Sequence, residues 1–359
     1  MTLTENVGTR SGAGQADRAI AVWLFICCAM VFVMVVLGGV TRLTHSGLSM
    51  VEWRPLTGLL PPLGEAEWRE TFEKYKQFPE YQKINLGMTL AEFKSIFWLE
   101  FIHRLWGRAI GVVFLVPLVF FAVTGRIGRR LLPGLIMVFV LGGLQGLLGW
   151  YMVKSGMVDR PDVSQYRLAA HLVAAFILYG YLFWLALGLM APRGAEAGRR
   201  ESRRIRRYAL ALLALVIVTV TSGGFVAGLD AGFVYNTFPL MDGRLIAEEI
   251  TSQPLTWERL FGDVATVQFG HRVLAVTTGV GVLLVWWLGR RARLPVAAGR
   301  ALDTMLALGA LQVALGIATL LTVVALPVAA AHQAGALALL TAILWVVHEA
   351  TPRAGRMAA

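Results

Sequence analysis

Eight long apolar runs, at approximately 20–41, 99–123, 132–152, 168–191, 208–228, 267–289, 302–324 and 329–349, alternate with polar stretches along the chain. Each run is about 18 or more residues long, enough for a helix to cross the hydrocarbon core of a bilayer. The polar stretches differ in sign. Arginine clusters at Arg126–Arg130, Arg193–Arg207 and Arg290–Arg300 occupy alternate loops, whereas 42–98, 153–167 and 229–266 mix acids with bases. Lysine and arginine accumulate on the cytoplasmic side of a membrane. The pattern therefore predicts eight spans, both termini cytoplasmic, and the mixed loops outside.

Composition agrees with this reading. Of 359 residues, 57% are hydrophobic and only 15% charged, against roughly 25% charged in soluble proteins. Mean hydropathy is +0.65. The net charge of +11 is concentrated in the cytoplasmic loops, which points to a lipid bilayer as partner and not to nucleic acid. The first run follows a polar stretch without a small-residue cleavage site or an arginine-rich, acid-poor presequence. It reads as a retained helix in a bacterial inner (plasma) membrane. Cys27 and Cys28 are neighbours inside that run; on a helix they point about 100° apart and read as small apolar fillers.

The chain is also a duplication. Gly38-Gly39 and the residues to Leu48 match Gly223-Gly224 and the residues to Phe233. Leu144-Gln145-x-x-Leu148-Gly149 matches Leu311-Gln312-x-x-Leu315-Gly316, and two histidine motifs repeat likewise. Four spans per unit leave both halves running in the same direction. The expected fold is an all-α integral membrane protein, two tandem four-helix bundles related by a pseudo-twofold axis along the membrane normal. The expected divisions are a cytoplasmic tail 1–19, a first half 20–192, an arginine-rich linker 193–207, a second half 208–350 and a tail 351–359.

Four of the six histidines occupy matched places: Glu100-Phe-Ile-His103-Arg104, Ala169-Ala170-His171, Phe269-Gly270-His271-Arg272 and Ala330-Ala331-His332. Imidazole is costly inside lipid unless it holds a metal, a proton or a partner. These four open the second and fourth spans of each half, at one depth near the outer surface. Two facing helices per half can thus offer two axial nitrogens to one planar macrocycle, and bis-imidazole haem ligation is the natural reading. Zinc or copper is weaker, since no Cys, Asp or second local His completes a tetrahedral set. A proton relay stays open.

Arg104 and Arg272 each follow a histidine near the polar surface, where a guanidinium can bind a haem propionate or snorkel to headgroups. Gly38-Gly39 and Gly223-Gly224 fall late in their spans, where missing side chains admit a helix or a flat ligand. The halves differ in one chemically weighty position. Glu100, three residues before His103 and on the same helical face, is answered by Gln268, and Arg108 by Val276. A carboxylate beside a reacting macrocycle can take a proton, stabilise a cation or form an ester; the plain alternative is an ion pair with Arg104. The asymmetry assigns chemistry to the first half and a permanent cofactor to the second.

His45, opposite Asp230 in the repeat, reads as a turn residue, and His348 as a solvated residue at the cytoplasmic end of the last span. Loop 42–98 carries Trp53, Trp68, Tyr75 and Tyr81, and its segment Glu65–Lys83 reads as a short amphipathic helix able to lie on the membrane as a lid. The matching loop, with Tyr235-Asn236-Thr-Phe-Pro239-Leu-Met-Asp242-Gly243, reads as a compact cap. Neither loop holds a phosphate-binding glycine motif.

Several of these motifs together resemble the heme A synthase family over almost the whole chain. They are Gly38-Gly39-Val-Thr41-Arg42-Leu-Thr-x-Ser46-Gly47-Leu-Ser49, Glu100-x-x-His103-Arg104-x-x-Gly107-Arg108, Gly232-Phe-x-Tyr235-Asn236-Thr237-Phe238-Pro239-x-Met241-Asp242-Gly243, Phe269-x-His271-Arg272 and Ala331-His332-Gln333. The resemblance implies oxidation of the C8 methyl of heme O to a formyl group, giving heme A for cytochrome c oxidase. It implies that His103 and His171 flank the substrate haem, that His271 and His332 ligate a bound heme B, and that Glu100 is the catalytic carboxylate. Arg104 and Arg272 would be cofactor contacts. Handover of an insoluble haem would favour contact with the heme O synthase and oxidase assembly factors, and the oxidation calls for an electron donor or acceptor that the sequence does not identify. Some members carry an outer-loop cysteine pair, which this chain lacks. Two other functions fit the histidines: a di-haem cytochrome, which needs no Glu100 asymmetry, and a haem or small-molecule transporter, which would gather polar residues at the midplane.

Overall fold

A computed structural model describes residues 5–52, 59–156, 163–190 and 199–351. Trp53, the beginning of the arginine-rich linker at 193–198 and the outer parts of both tails lie outside the described residues. The helices, in chain order, are α1 (Glu5–Leu43), α2 (Glu65–Tyr75), α3 (Pro79–Lys83), α4 (Leu90–Val123), α5 (Leu132–Gly156), α6 (Gln165–Met190), α7 (Arg199–Gly228), α8 (Glu248–Thr251), α9 (Trp257–Gly262), α10 (Val264–Arg290), α11 (Val296–Leu321) and α12 (Leu326–Glu349). No strand occurs among the described residues, and eight helices (α1, α4, α5, α6, α7, α10, α11 and α12) are long and apolar enough to cross a membrane. All eight apolar runs are therefore helices.

Contacts between these helices form two rings. In the first half α1 touches α4, α4 touches α5, α5 touches α6 and α6 returns to α1. In the second, α7, α10, α11 and α12 close in the same order. The rings meet through α1 on α12, α6 on α7 and α6 on α12, and exchanging the halves maps these contacts onto themselves. The core runs down the facing sides of α1, α6, α7 and α12, with Leu24, Leu182, Ile205, Leu337 and Ile343 fully or almost fully buried. Tyr179 and Thr341 share a hydrogen bond of 2.9 Å across the same junction.

Toward the C-terminal end of α1 the halves are stitched by polar groups. Arg42, at the end of α1, donates to the Ala227 carbonyl at 2.9 Å and pairs with Asp230 at 3.0 Å. Gln333, next to His332 on α12, donates to the Val35 carbonyl of α1 at 2.9 Å.

α4 starts well before the apolar run because Thr89 and Glu92 form a capping box, each side chain bonding the other's backbone N–H. The Thr89 side chain thereby satisfies one of the donors a helix start leaves free. At 34 residues α4 is about 50 Å long, well beyond the roughly 30 Å of a hydrocarbon core. Its first turns, bearing Phe93 and Phe97, stand beside α2 and α3 of the loop that precedes it.

Those turns change the reading of the outer loop. Segment 65–83 is two helices, α2 and α3, and its apolar face does not lie on lipid. Trp68, Phe72 and Tyr75 pack against Phe93, Phe97 and Phe101 of α4, with Trp68 and Phe97 rings 4.9 Å apart edge to face. Burial first, then the Glu80 carboxylate, pushes the Tyr75 phenol above its ordinary range. The aromatic stripe was legible, but the extension of α4 buries it.

His348 also departs from expectation. It is 1% exposed, with its ring edge-on to Trp184 at 5.7 Å and Nδ1 3.6 Å from Glu349. Trp184 of α6 covers the position, so the residue is not solvated.

Candidate functional site

Four imidazoles lie on four glycines. A β-carbon added at Gly38 of α1 would stand 3.1 Å from Cε1 of His103, and one at Gly149 of α5 would stand 3.1 Å from Cε1 of His171. In the second half Gly223 of α7 meets His271 at 3.1 Å, and Gly316 of α11 meets His332 at 2.9 Å. Each ring of helices thus supplies two histidines and the two glycines that seat them. Within each half the imidazoles, His103 with His171 and His271 with His332, are in electrostatic reach of one another.

The ring nitrogens show what such a seat does. Nδ1 of His103, His171 and His332 is buried without a hydrogen-bond partner among the described residues. The Leu37 and Gln312 carbonyls lie beside His103 and His332 but outside hydrogen-bond geometry. His271 is different. Its Nδ1 is 2.8 Å from Ser222 Oγ, and that hydroxyl donates to the Thr219 carbonyl at 2.7 Å. With its own proton spent, Ser222 accepts from Nδ1–H, which leaves the lone pair on Nε2 open for a metal. The repeat places Leu37 where Ser222 stands, so the first half has no such fixing group.

Sequence reasoning found the histidines but missed Ser222, Gly149 and Gly316. The glycines were visible as part of a repeated motif. Ser222 was visible only as a break in the repeat.

In each glycine pair the two residues have separate tasks. Gly38 and Gly223 carry a histidine of their own half. A β-carbon at Gly39 would meet Gln333 Oε1, with its Cδ at 2.8 Å, and one at Gly224 would meet the Ala169 backbone at 2.9 Å. The second glycine therefore brings the other half close.

Glu100 is 3% exposed. Its Oε2 accepts from Ser49 Oγ at 2.7 Å and from the Met50 N–H at 2.8 Å, while Oε1 pairs with Arg104. Arg104 also donates to the Met50 carbonyl at 3.2 Å. Gln268 occupies the equivalent place with opposite polarity: its Nε2 donates to the Ala231 and Val234 carbonyls at 2.9 and 2.5 Å. Arg272 donates to the Tyr235 carbonyl, the counterpart of Met50, at 2.6 Å. Acid and amide each hold the outer loop of their own half, and the loop's groups decide which is needed. The first loop offers donors, which a carboxylate accepts; the second offers carbonyls, which require an N–H.

Both arginines thus face loop backbone; Arg272 keeps a buried Nε without a hydrogen-bond partner. Tyr235, held at φ 52 beneath the second loop, has its phenol pushed up to about 12, by burial first and then by Glu249. His45 is exposed at φ 48 and its counterpart Asp230 has φ 51, so both are turn residues. Among the described residues no group of three or more His, Cys, Asp or Glu side chains is placed to hold a bare metal ion. Paired imidazoles seated on glycine, two to each half, fit a flat macrocycle with two axial ligands better than a tetrahedral ion.

Comparison with known proteins adds the following. Residues 21–344 match the family described as Cytochrome oxidase assembly protein. A heme A synthase of Paramagnetospirillum magneticum is 53% identical over 97% of this chain and 98% of its own. One from Nitrosospira multiformis is 52% identical over 93% of this chain and 94% of its own. A Mus musculus heme A synthase is 44% identical over 97% of this chain and 87% of its own.

Proposed function

Because the chain belongs to the Cytochrome oxidase assembly protein family, we infer that it carries out the reaction for which its relatives are named. It converts heme O to heme A for cytochrome oxidase, as a multi-pass helical membrane enzyme. The observation that carries the assignment of halves is Ser222, which supports His271 and has a leucine, Leu37, as its counterpart in the first half.

The second half holds the permanent cofactor, heme B, between His271 and His332. Ser222 supports this, because it fixes one ligand's tautomer, and metal-bound imidazoles keep such partners. Gln268 carries no charge there. The first half receives heme O between His103 and His171, where no side chain fixes Nδ1 of either ring and a substrate must come and go. Haem supplies the redox chemistry when bound; the protein contributes ligation, placement and electrostatics.

Glu100 stands one helical turn from His103 as a buried carboxylate held by Ser49, the Met50 amide and Arg104. In that position it is the group that takes a proton or stabilises positive charge as the methyl is oxidised. Arg104 and Arg272 sit at the outer rim, where they bind propionates while bracing the loops. The two closed helix rings support tandem four-helix bundles related by a pseudo-twofold axis along the membrane normal. The arginine-rich loops support cytoplasmic termini in a bacterial inner membrane. Delivery of an insoluble haem favours docking to the heme O synthase and to oxidase assembly factors, with an electron donor or acceptor for the second-half haem.

The matched glycine seats also suit a di-haem cytochrome. Extraction and mass identification of the haems that co-purify from cells making heme O separates the two. Heme B together with heme O, heme A or a hydroxylated intermediate is expected. Heme B alone, near two per chain, would sink the enzyme reading.

A further inference from the structure

The two halves share a contact plan, yet one seam that is zipped in the second half stands open in the first. Between α10 and α11, a β-carbon at Gly279 would stand 3.3 Å from Val313, and one at Gly309 would stand 2.8 Å from Val282. The repeat counterparts in the first half are Gly111 for Gly279, Gly146 for Val313 and Gly142 for Gly309. A β-carbon at Gly111, Gly142 or Gly146 would meet nothing within 4 Å among the described residues. All three are exposed, whereas Gly309 is buried.

Two further differences keep the seam apart. Phe114, the counterpart of Val282, packs instead against Trp23 of α1, the rings tilted at 33° with centroids 5.2 Å apart. Pro117 stands inside α4 where α10 has Val285, removing a backbone donor from that stretch of helix.

The open seam leads from the histidines. Gly111 follows His103 at eight residues, two turns further along α4, while a β-carbon at Gly107 between them would meet Met34 of α1 at 3.3 Å. Gly146 and Gly142 lie three and seven residues before Gly149, the seat of His171. The imidazole pair of this half, His103 seated on Gly38 and His171 on Gly149, marks a ligand site at that end of the groove. Apolar side chains on the same helical faces as Gly111 and Gly142 are exposed, Leu115 at 40% and Phe139 at 45%.

We propose that the α4–α5 seam receives the isoprenoid tail of the substrate haem, and that this groove is how the protein tells heme O from heme B. Heme O differs from heme B in carrying a long isoprenoid chain, and a channel between two helices without side chains has the width and polarity for such a chain. Heme B has no tail, and the half assigned to it has its seam closed by Val313 and Val282. The proposal rests on placing the substrate in the first half.

The test is titration of heme O and of heme B into purified protein with its second-half haem in place, comparing wild type with Gly146→Val and Gly111→Val. Gly146→Val copies Val313, and among the described residues nothing lies within 4 Å of the added β-carbon. Wild type is expected to bind heme O at least about tenfold more tightly than heme B, the worth of burying a few methylene groups. Either valine should remove that preference by weakening heme O, with heme B binding unchanged. The second-half haem content reports that the variant is folded. A groove that merely holds lipid acyl chains would leave heme O affinity untouched in both variants, and that result overturns the proposal. His103→Ala separates the two readings: if it weakens neither haem, the substrate does not bind in the first half, and that assignment fails before the seam is judged.

Discussion

The edge of the His332 imidazole lies so close to Gly316 that a β-carbon there would stand 2.9 Å from Cε1. No side chain other than hydrogen fits without moving the ring, and the same holds more mildly at Gly38, Gly149 and Gly223. Gly316→Val is expected to drive His332 from its seat and lower the heme B content of the purified protein at least about tenfold, as loss of a ligand or its support does. The haem absorbance per chain measures this. Gly270→Ala, beside His271 but with nothing within 4 Å of the added carbon, should keep its haem.

Ser222 gives a subtler test. Ser222→Ala removes the acceptor for Nδ1–H of His271 and is expected to weaken heme B binding about tenfold, with a shift in the haem's reduction potential. Leu37→Ser transplants the device to His103 and should slow release of haem from the first half. Dissociation rates of the two haems check both changes.

Gln268→Glu places a carboxylate against the Ala231 and Val234 carbonyls, which now accept at 2.9 and 2.5 Å. Two acceptors lose their donor and meet negative charge, a cost of about 1–3 kcal/mol. The expected result is a lower unfolding temperature of the haem-loaded protein and no new activity in the second half.

Glu100→Gln distinguishes catalysis from bracing. A catalytic carboxylate predicts retained heme B but heme A output at least about a hundredfold lower, the scale of general acid–base effects. Ser49→Ala loosens the same loop while leaving the carboxylate, and should cost far less output. Equal losses in the two variants would reduce Glu100 to a loop anchor.

Gly39→Ala tests the seam between halves. The added carbon collides with the Gln333 amide, which must leave the Val35 carbonyl. A loss of about 1 kcal/mol is expected for that bond. The double variant Gly39→Ala, Gln333→Ala should cost less than the sum of the singles, because the clash is gone. Denaturation of all four proteins closes the cycle.

Much of this protein was legible in its sequence. Eight spans follow from apolar runs, since a bilayer imposes a length and a polarity on every crossing helix whatever its neighbours. The repeat and four matched histidines follow because duplication preserves spacing. Tertiary structure alone decided which glycine seats which histidine: Gly38 and His103 lie on different helices with the whole outer loop between them. It also decided that segment 65–83 packs on α4 instead of lipid, and that His348 is covered by Trp184. The Glu100–Gln268 difference was visible as letters, but its sense depends on whether the loop above presents Ser49 and an N–H or two carbonyls. The open α4–α5 seam arises from residues that are absent, and an absence gains meaning only when a neighbouring helix is, or is not, there to fill it.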